Sequence, residues 1–201
     1  MDGSSSTGRR GNAADRRPGD RPLAFREGEG RWLDASTVGD LQRLIDACAD
    51  DLRLATGGDP DAADARELLK QPPGVDEDQR FALGVFEPDG RLAAAIDLYR
   101  DFPRPGAWYI ALALVRPDLR GRGLATGILA RVERLARQHG GEGIHVIAPG
   151  RNPAVLQLFR RAGYEARRDV ALPFPGRSLR GIHLVRELSP IAQAPSPNVA
   201  G

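Results

Sequence analysis

The longest uninterrupted apolar run of the chain, Ala107–Val115, is followed within a few residues by Arg120-Gly121-Arg122-Gly123-Leu124-Ala125. Consecutive apolar positions without alternation predict a strand covered on both faces. Pro117 cannot continue its ladder. From residue 122 to 138 the pattern changes: Leu124, Ile128, Val132, Leu135 and Ala136 recur at helical spacing, and Gly140-Gly141 closes the segment. A buried strand must therefore turn into an amphipathic helix through two glycines. Glycine lets the backbone turn tightly and approach a ligand, while the first N–H groups of the helix stay unpaired. Those donors and the helix dipole form an anion site suited to a pyrophosphate, to which Arg120 and Arg122 add charge-assisted donors.

The remaining punctuation predicts one domain over 23–188. Leu23–Phe25 and Trp32–Leu33 offer a short strand, and residues 37–54 a helix with Leu41, Leu44, Ile45, Cys48 and Leu52 on one face, capped by Thr37. A second helix, 61–70, follows Asp59-Pro60. Strands at 80–87, 91–100 and 107–115 come next, the first two joined by the turn signal Pro88-Asp89-Gly90. After the 122–138 helix, a strand at 144–148 leads to a helix at 153–162 with Asn152 as N-cap, Pro153 at its first position and Gly163 past its end. Strands at about 164–172 and 180–188 flank a loop built on Pro173, Pro175 and Gly176. This order indicates an α+β sandwich around one mixed sheet. Residues 1–22 and 189–201, poor in large apolar side chains, are expected to be a disordered and a flexible tail.

Charge narrows the function. The 201 residues carry a net +2 and a pI near 9.1, which invites a nucleic-acid reading. Residues 1–22, however, hold five of the 29 basic and three of the 27 acidic side chains, so the rest is balanced at 24 against 24. The expectation is no nucleic-acid partner; an affinity carried by the arginine tail is the alternative. Cys48 alone excludes an internal disulfide, the three histidines (His139, His145, His183) are expected to lie far apart, and no metal-ligand spacing occurs. No apolar run approaches the roughly 18 residues of a membrane span, and the N-terminal stretch lacks an apolar core, so the chain reads as cytoplasmic. Two phosphate-binding fingerprints also fail: Thr126 stands where a dinucleotide motif needs its third glycine, and no Gly-Lys-Ser/Thr occurs.

The spacing that fits is Arg120-x-x-Gly123-x-Ala125, which resembles the acetyl-CoA pyrophosphate loop of the GNAT superfamily of acyl-CoA-dependent N-acetyltransferases. Asn152-x-x-Val155-x-x-Leu158-Phe159-x-x-Ala162-Gly163-Tyr164 is similar to its second motif, a helix ending in Gly-Phe or Gly-Tyr. The resemblance covers about 80–188 and extends toward 37. It implies the GNAT fold: a central mixed, mostly antiparallel sheet flanked by helices on both faces. It also implies that Leu114 and Val115 pair with the pantetheine arm of acetyl-CoA. Backbone N–H groups of Gly121, Arg122, Gly123, Leu124, Ala125 and Thr126 would hold the pyrophosphate, with Arg120 beside them. Asn152 would lie near the pantetheine and Phe159 near the thioester sulfur. The reaction implied is direct attack of a neutral amine, on a small molecule more than on a protein, through an oxyanion held by backbone donors. The protein would be a monomer or homodimer.

Two departures from that pattern bear on chemistry. The family often places a tyrosine where Phe159 stands, and Phe159 cannot protonate the departing thiolate. A thiol of pKa near 8.5 leaves tolerably without an acid. The strand 108–115 contains no carboxylate to serve as base. Asp97, alone among apolar neighbours in Ala93–Leu98, is the first catalytic candidate, although strand alternation also allows it to face solvent; Asp101, Glu87 and His145, acting through water, come after it. A non-catalytic acyl-CoA-binding module is the alternative function. Asp59, Asp61, Asp64, Glu67, Asp76, Glu77 and Asp78 favour a cationic acceptor, unless they form a solvated face.

Overall fold

A computed structural model of the chain describes residues 23–174 and 176–188. The proposed tails, 1–22 and 189–201, lie outside the described residues. Eight strands form one sheet in the order β1-β2-β3-β4-β5-β6-β8-β7. They are β1 (Leu23–Ala24), β2 (Glu29–Trp32), β3 (Arg80–Phe86), β4 (Leu92–Arg100), β5 (Ala107–Val115), β6 (Gly143–Pro149), β7 (Glu165–Phe174) and β8 (Arg177–Glu187). Only β5 and β6 pair in parallel, as the long connection through a helix between them requires. The helices are α1 (Val38–Ala47), α2 (Ala49–Thr56), α3 (Asp64–Leu68), α4 (Leu124–Gln138) and α5 (Pro153–Arg161).

The sheet is covered on both faces. Ala94, Ile96 and Leu98 of β4 enter one cluster with Ile128, Leu129, Val132 and Ala136 of α4 and Leu156 and Phe159 of α5. Ala95, between them on the strand, joins Leu41, Leu44 and Ile45 of α1 in a second cluster. Successive side chains of a strand point to opposite faces, so α4 and α5 share one face while α1 lies on the other. Trp108 is fully buried in the first cluster and stacks on Phe81 with ring centroids 5.3 Å apart.

Two expectations for the N-terminal helix are corrected. The helix expected over 37–54 is interrupted at Cys48, whose backbone (φ −97°, ψ 19°) closes α1 and opens α2. The burial that holds α1 against the sheet ends there: α2 has no buried residue. Thr37 does not cap α1. Its hydroxyl turns back to donate to the Asp34 carbonyl at 2.8 Å and accept from the Asp34 N–H at 2.9 Å, closing a short 3-10 turn. The second helix is also shorter than expected: Asp61 and Asp64 close a turn before it, and Arg80 takes the carbonyls at its C-terminal end.

The feature that shapes the functional region lies in β5. Its register against β4 runs Tyr99↔Tyr109 and Leu98↔Ile110, then jumps to Asp97↔Leu112, leaving Ala111 as the extra residue of a bulge. Its parallel pairing with β6 covers Ala107–Ile110 and no further. Bulges bend the strand that carries them, and here β5 leaves β6 at the bulge while staying on β4 to Val115. Replacing Trp108 with Ala should remove the stacked core pair beside this bend and cost about 3–5 kcal/mol of stability, measured by denaturant unfolding.

Candidate functional site

Beyond Ile110 the backbone of β5 no longer faces a β6 partner, and a wedge opens between the two strands. It widens into a cleft of about 460 Å³ walled by β5, the loop after it, the start of α4 and the length of α5. Pro117–Leu119 form one 3-10 turn that redirects the chain. Gly121 (φ 74°) and Gly123 (φ 91°) then take left-handed backbone conformations. A Cβ at either would meet nothing within 4 Å, so conformation and not crowding calls for glycine there.

The start of α4 carries the binding chemistry. Gly123 stands at its N-cap and contributes no side-chain acceptor. The first helical bond is from the Gly127 N–H to the Gly123 carbonyl, at 2.9 Å. Among the described residues, the N–H groups from Gly121 to Thr126 find no acceptor. A row of free donors at the positive end of a 15-residue helix is a site for an anion.

The cleft wall brings together Leu114, Val115, Arg120, Gly121 and Gly123 with Leu124, Ala125 and Thr126, and across from them Asn152 and Phe159. Arg122 is not on this wall; its side chain borders a neighbouring pocket with Arg26, Glu27 and Glu87. Arg120 folds back, donating from Nε to the Val115 carbonyl at 3.0 Å and pairing with Asp51. Asn152 caps α5 by accepting from the Val155 N–H at 3.1 Å, and its amide donates to Asp51 at 3.4 Å. Its structural and cleft-lining roles coexist. Phe159 is 3% exposed and meets Tyr164 edge-on at 5.0 Å.

Asp51 is a site residue that the sequence did not single out. From α2 it joins the loop after β5 to the cap of α5, crossing the wedge. In sequence it is one acid among many on a polar helix face. Cys48 itself lies under this bridge, donating from Sγ to the Val115 carbonyl at 3.5 Å. Burial pushes its thiol pKa up against the opposing pull of Arg120.

Asp97 does not face solvent. It is 4% exposed, and Arg80 donates to both of its oxygens at 2.9 and 3.0 Å. The same guanidinium donates to the carbonyls of Leu69 at 3.0 Å and Lys70 at 2.7 Å, and to that of Leu68. Burial raises the Asp97 pKa, while Arg80 and Tyr99 pull it down. This network ties the end of α3 to the sheet and lies off the cleft wall. The other acidic candidates are also engaged: Glu87 pairs with Arg116 at 2.7 Å, and Asp101 accepts from the Gly106 N–H at 2.7 Å in the turn at the far end of β5.

His145 stands elsewhere. Its register partner on β5 is Tyr109, one step before the two strands separate. Its neighbours Ile144 and Val146 enter the cluster under α4 and α5, so its ring lies on the opposite face. There it stacks on His183 with Nδ1 and Nε2 3.1 Å apart. Burial, then the charge of His183 and Arg104, lowers its pKa.

The acidic side chains expected to attract a cation are largely used within the protein. Asp59 pairs with Arg53, Glu67 with Lys70 at 2.6 Å and Asp78 with Arg100 at 3.1 Å, while Asp76 closes a capping box. Among the described residues no cluster of three or more His, Cys, Asp or Glu could hold a metal ion, and no helix is long and apolar enough to cross a membrane.

The sequence profile of the acetyltransferase (GNAT) family matches residues 43–164, more than half of the chain. The chain belongs to this family. It is 32% identical over 88 residues to Acetyltransferase SG1711 of Sodalis glossinidius (strain morsitans), covering 44% of this chain and 60% of that one. It is 31% identical over 81 residues to Acetyltransferase ECA0875 of Pectobacterium atrosepticum, covering 40% of this chain and 55% of that one. The match thus spans three-fifths or less of these relatives. Among solved structures, a GNAT superfamily phosphinothricin acetyltransferase of Sinorhizobium meliloti in complex with AcCoA superposes with TM-score 0.63, at 16% identity, over 86% of this chain and 95% of that one. An acetyltransferase of Thermus thermophilus superposes with TM-score 0.62, at 21% identity, over 79% and 96%. At such identities the likeness is one of fold, the mixed sheet with helices on both faces.

Asp97→Asn leaves the Arg80 guanidinium buried beside a neutral group and should lower stability by about 3–5 kcal/mol. Urea unfolding of Asp97→Asn beside the Arg80→Met, Asp97→Leu double variant checks this, with the double variant the more stable of the two.

Proposed function

We propose that the protein is a cytoplasmic N-acetyltransferase that takes the acetyl group of acetyl-CoA and transfers it to the amine of a small molecule. The observation that carries this reading is the row of free N–H groups from Gly121 to Thr126 at the foot of a cleft that opens where β5 leaves β6. The donors match a pyrophosphate, and the edge of β5 that has no β6 partner beyond Ile110 offers backbone groups at Leu114 to an extended amide-bearing arm, while the Val115 carbonyl is taken by Arg120 and Cys48. Acetyl-CoA would supply the activated acetyl thioester; the chain's own residues bind it, orient it and receive a proton from the acceptor. Phe159, buried and apolar, shapes the inner wall and excludes water without donating a proton.

For proton removal we assign His145 ahead of Asp97. Asp97 is held on both oxygens by Arg80 and supports the fold around α3, which makes it a positioning residue. His145 lies one register step before β5 and β6 separate, on the face free of α4 and α5 and off the cleft wall, and would act through water; its lowered pKa keeps it neutral at pH 7. The acceptor would approach on that face, past α2, where Gly57 and Gly58 lie against Arg177 at the start of β8. The rival reading, an acyl-CoA-binding module without turnover, is favoured by one observation: the carboxylate on the cleft wall, Asp51, is already engaged by Arg120 and Asn152.

Calorimetry with acetyl-CoA, followed by thiol release across a panel of amines, separates the two readings. Binding with turnover is expected, and binding without turnover on any amine supports the rival. Gly123→Glu should abolish acetyl-CoA binding, because it puts a carboxylate at the anion site and a side chain at φ 91°. The backbone strain should cost about 1–2 kcal/mol while leaving the protein folded; unchanged affinity would remove the loop from the site. The pH profile of kcat/KM should fall on the acid side through a value below 6.5, the ordinary histidine value. His145→Asn should lose that limb, and an unaltered profile would exclude His145 as the proton acceptor.

A further inference from the structure

We propose that the cavity between the start of α1, the end of α3 and β3 is a ligand site separate from the cleft, taking a small molecule with an apolar body and one carboxylate. Its volume is about 640 Å³, against about 460 Å³ for the cleft, and the two share no lining residue. A concavity of this size holds a small molecule. The inner wall is apolar: Leu33 is buried, and Val38, Leu69 and Ala82 pack half-buried against the cluster beneath α1. Such a wall gains free energy by covering an apolar body.

The rim decides the polar group. Arg66, in the last turn of α3, and Lys70, just past its end, both line the cavity, so two cations face one small volume. Lys70 reaches Glu67 at 2.6 Å in an exposed pair that solvent screens. Among the described residues the Arg66 guanidinium has no ion-pair or hydrogen-bond partner. Arg80 stands deeper, with 9% of its side chain exposed, and offers no donor. Its five N–H groups are spent on the two Asp97 oxygens and on the carbonyls of Leu68, Leu69 and Lys70.

The carboxylates on the rim are used within the protein. Asp34 accepts from the Ser36 N–H at 2.8 Å and from its hydroxyl at 2.6 Å, and Glu77 is engaged as well. A cationic ligand therefore meets no free anion, while the fork of N–H groups on Arg66 matches a carboxylate. The apolar wall and the free guanidinium together select an amphipathic monoanion.

The test is calorimetry at low salt with four probes: 4-phenylbutyrate, its amide, 4-phenylbutylamine, and acetate as the carboxylate without the body. The natural chain should bind 4-phenylbutyrate about five- to tenfold more tightly than the amide, the range of one partly exposed charge-assisted contact. The amine and acetate should each bind more weakly than 4-phenylbutyrate by at least about tenfold. Arg66→Gln removes an exposed, unpartnered charge, so the melting temperature should hold while the carboxylate-to-amide ratio falls to within about twofold. Coenzyme A should not displace 4-phenylbutyrate. Absence of binding, a ratio that survives Arg66→Gln, tighter binding of the amine, acetate equal to 4-phenylbutyrate, or displacement by coenzyme A would each overturn the assignment. Because no cleft residue lines this cavity, the result is independent of the acyl-CoA reading.

Discussion

The separation of β5 from β6 is the constraint on which the functional region depends. A parallel pair normally continues as long as both strands do, because each unpaired backbone group in a covered sheet is costly. Here the ladder stops after Ile110↔Val146, and the extra residue Ala111 bends β5 away while β4 retains it to Val115. The wedge sets where the cleft opens, and every wall of the cleft follows from it. The loop at Gly121 and Gly123 is the continuation of the departing strand, and α5 is the continuation of β6 on the other side.

Charge is organised around that wedge. Exposed ion pairs over the rest of the surface contribute little individually. At the cleft, Asp51 spans from α2 to Arg120 and Asn152, tying the N-terminal helices to both walls. Arg80 and Asp97 perform the corresponding task deeper in the fold, where both side chains are nearly buried and the end of α3 supplies carbonyl acceptors. The first bridge lies on the cleft wall and the second lies off it.

What was legible in the sequence was mostly local. The caps and turns around α5, the glycines of the loop and the buried character of β5 follow from backbone preferences that act over a few residues. They put the glycine loop, the start of α4 and the cap of α5 in the elements where the structure has them. The misjudged residues were those whose environment is made by distant chain. Asp97 reads as an exposed strand acid until Arg80, 17 residues away, turns to meet it. Asp51 is one acid of a polar helix face until Arg120 and Asn152 meet it. Thr37 is a plausible cap until Asp34 takes its hydroxyl.

By itself the sequence determined that this chain builds a mixed sheet with a strand–glycine–helix turn, because periodicity, proline and glycine act through the local backbone. Only the tertiary structure decided which charged groups meet. The pairing of Asp51 with Arg120 and the engagement of Asp97 by Arg80 depend on which side chains come within hydrogen-bonding distance. That is set by how the sheet and helices pack, and it is not encoded at any one position.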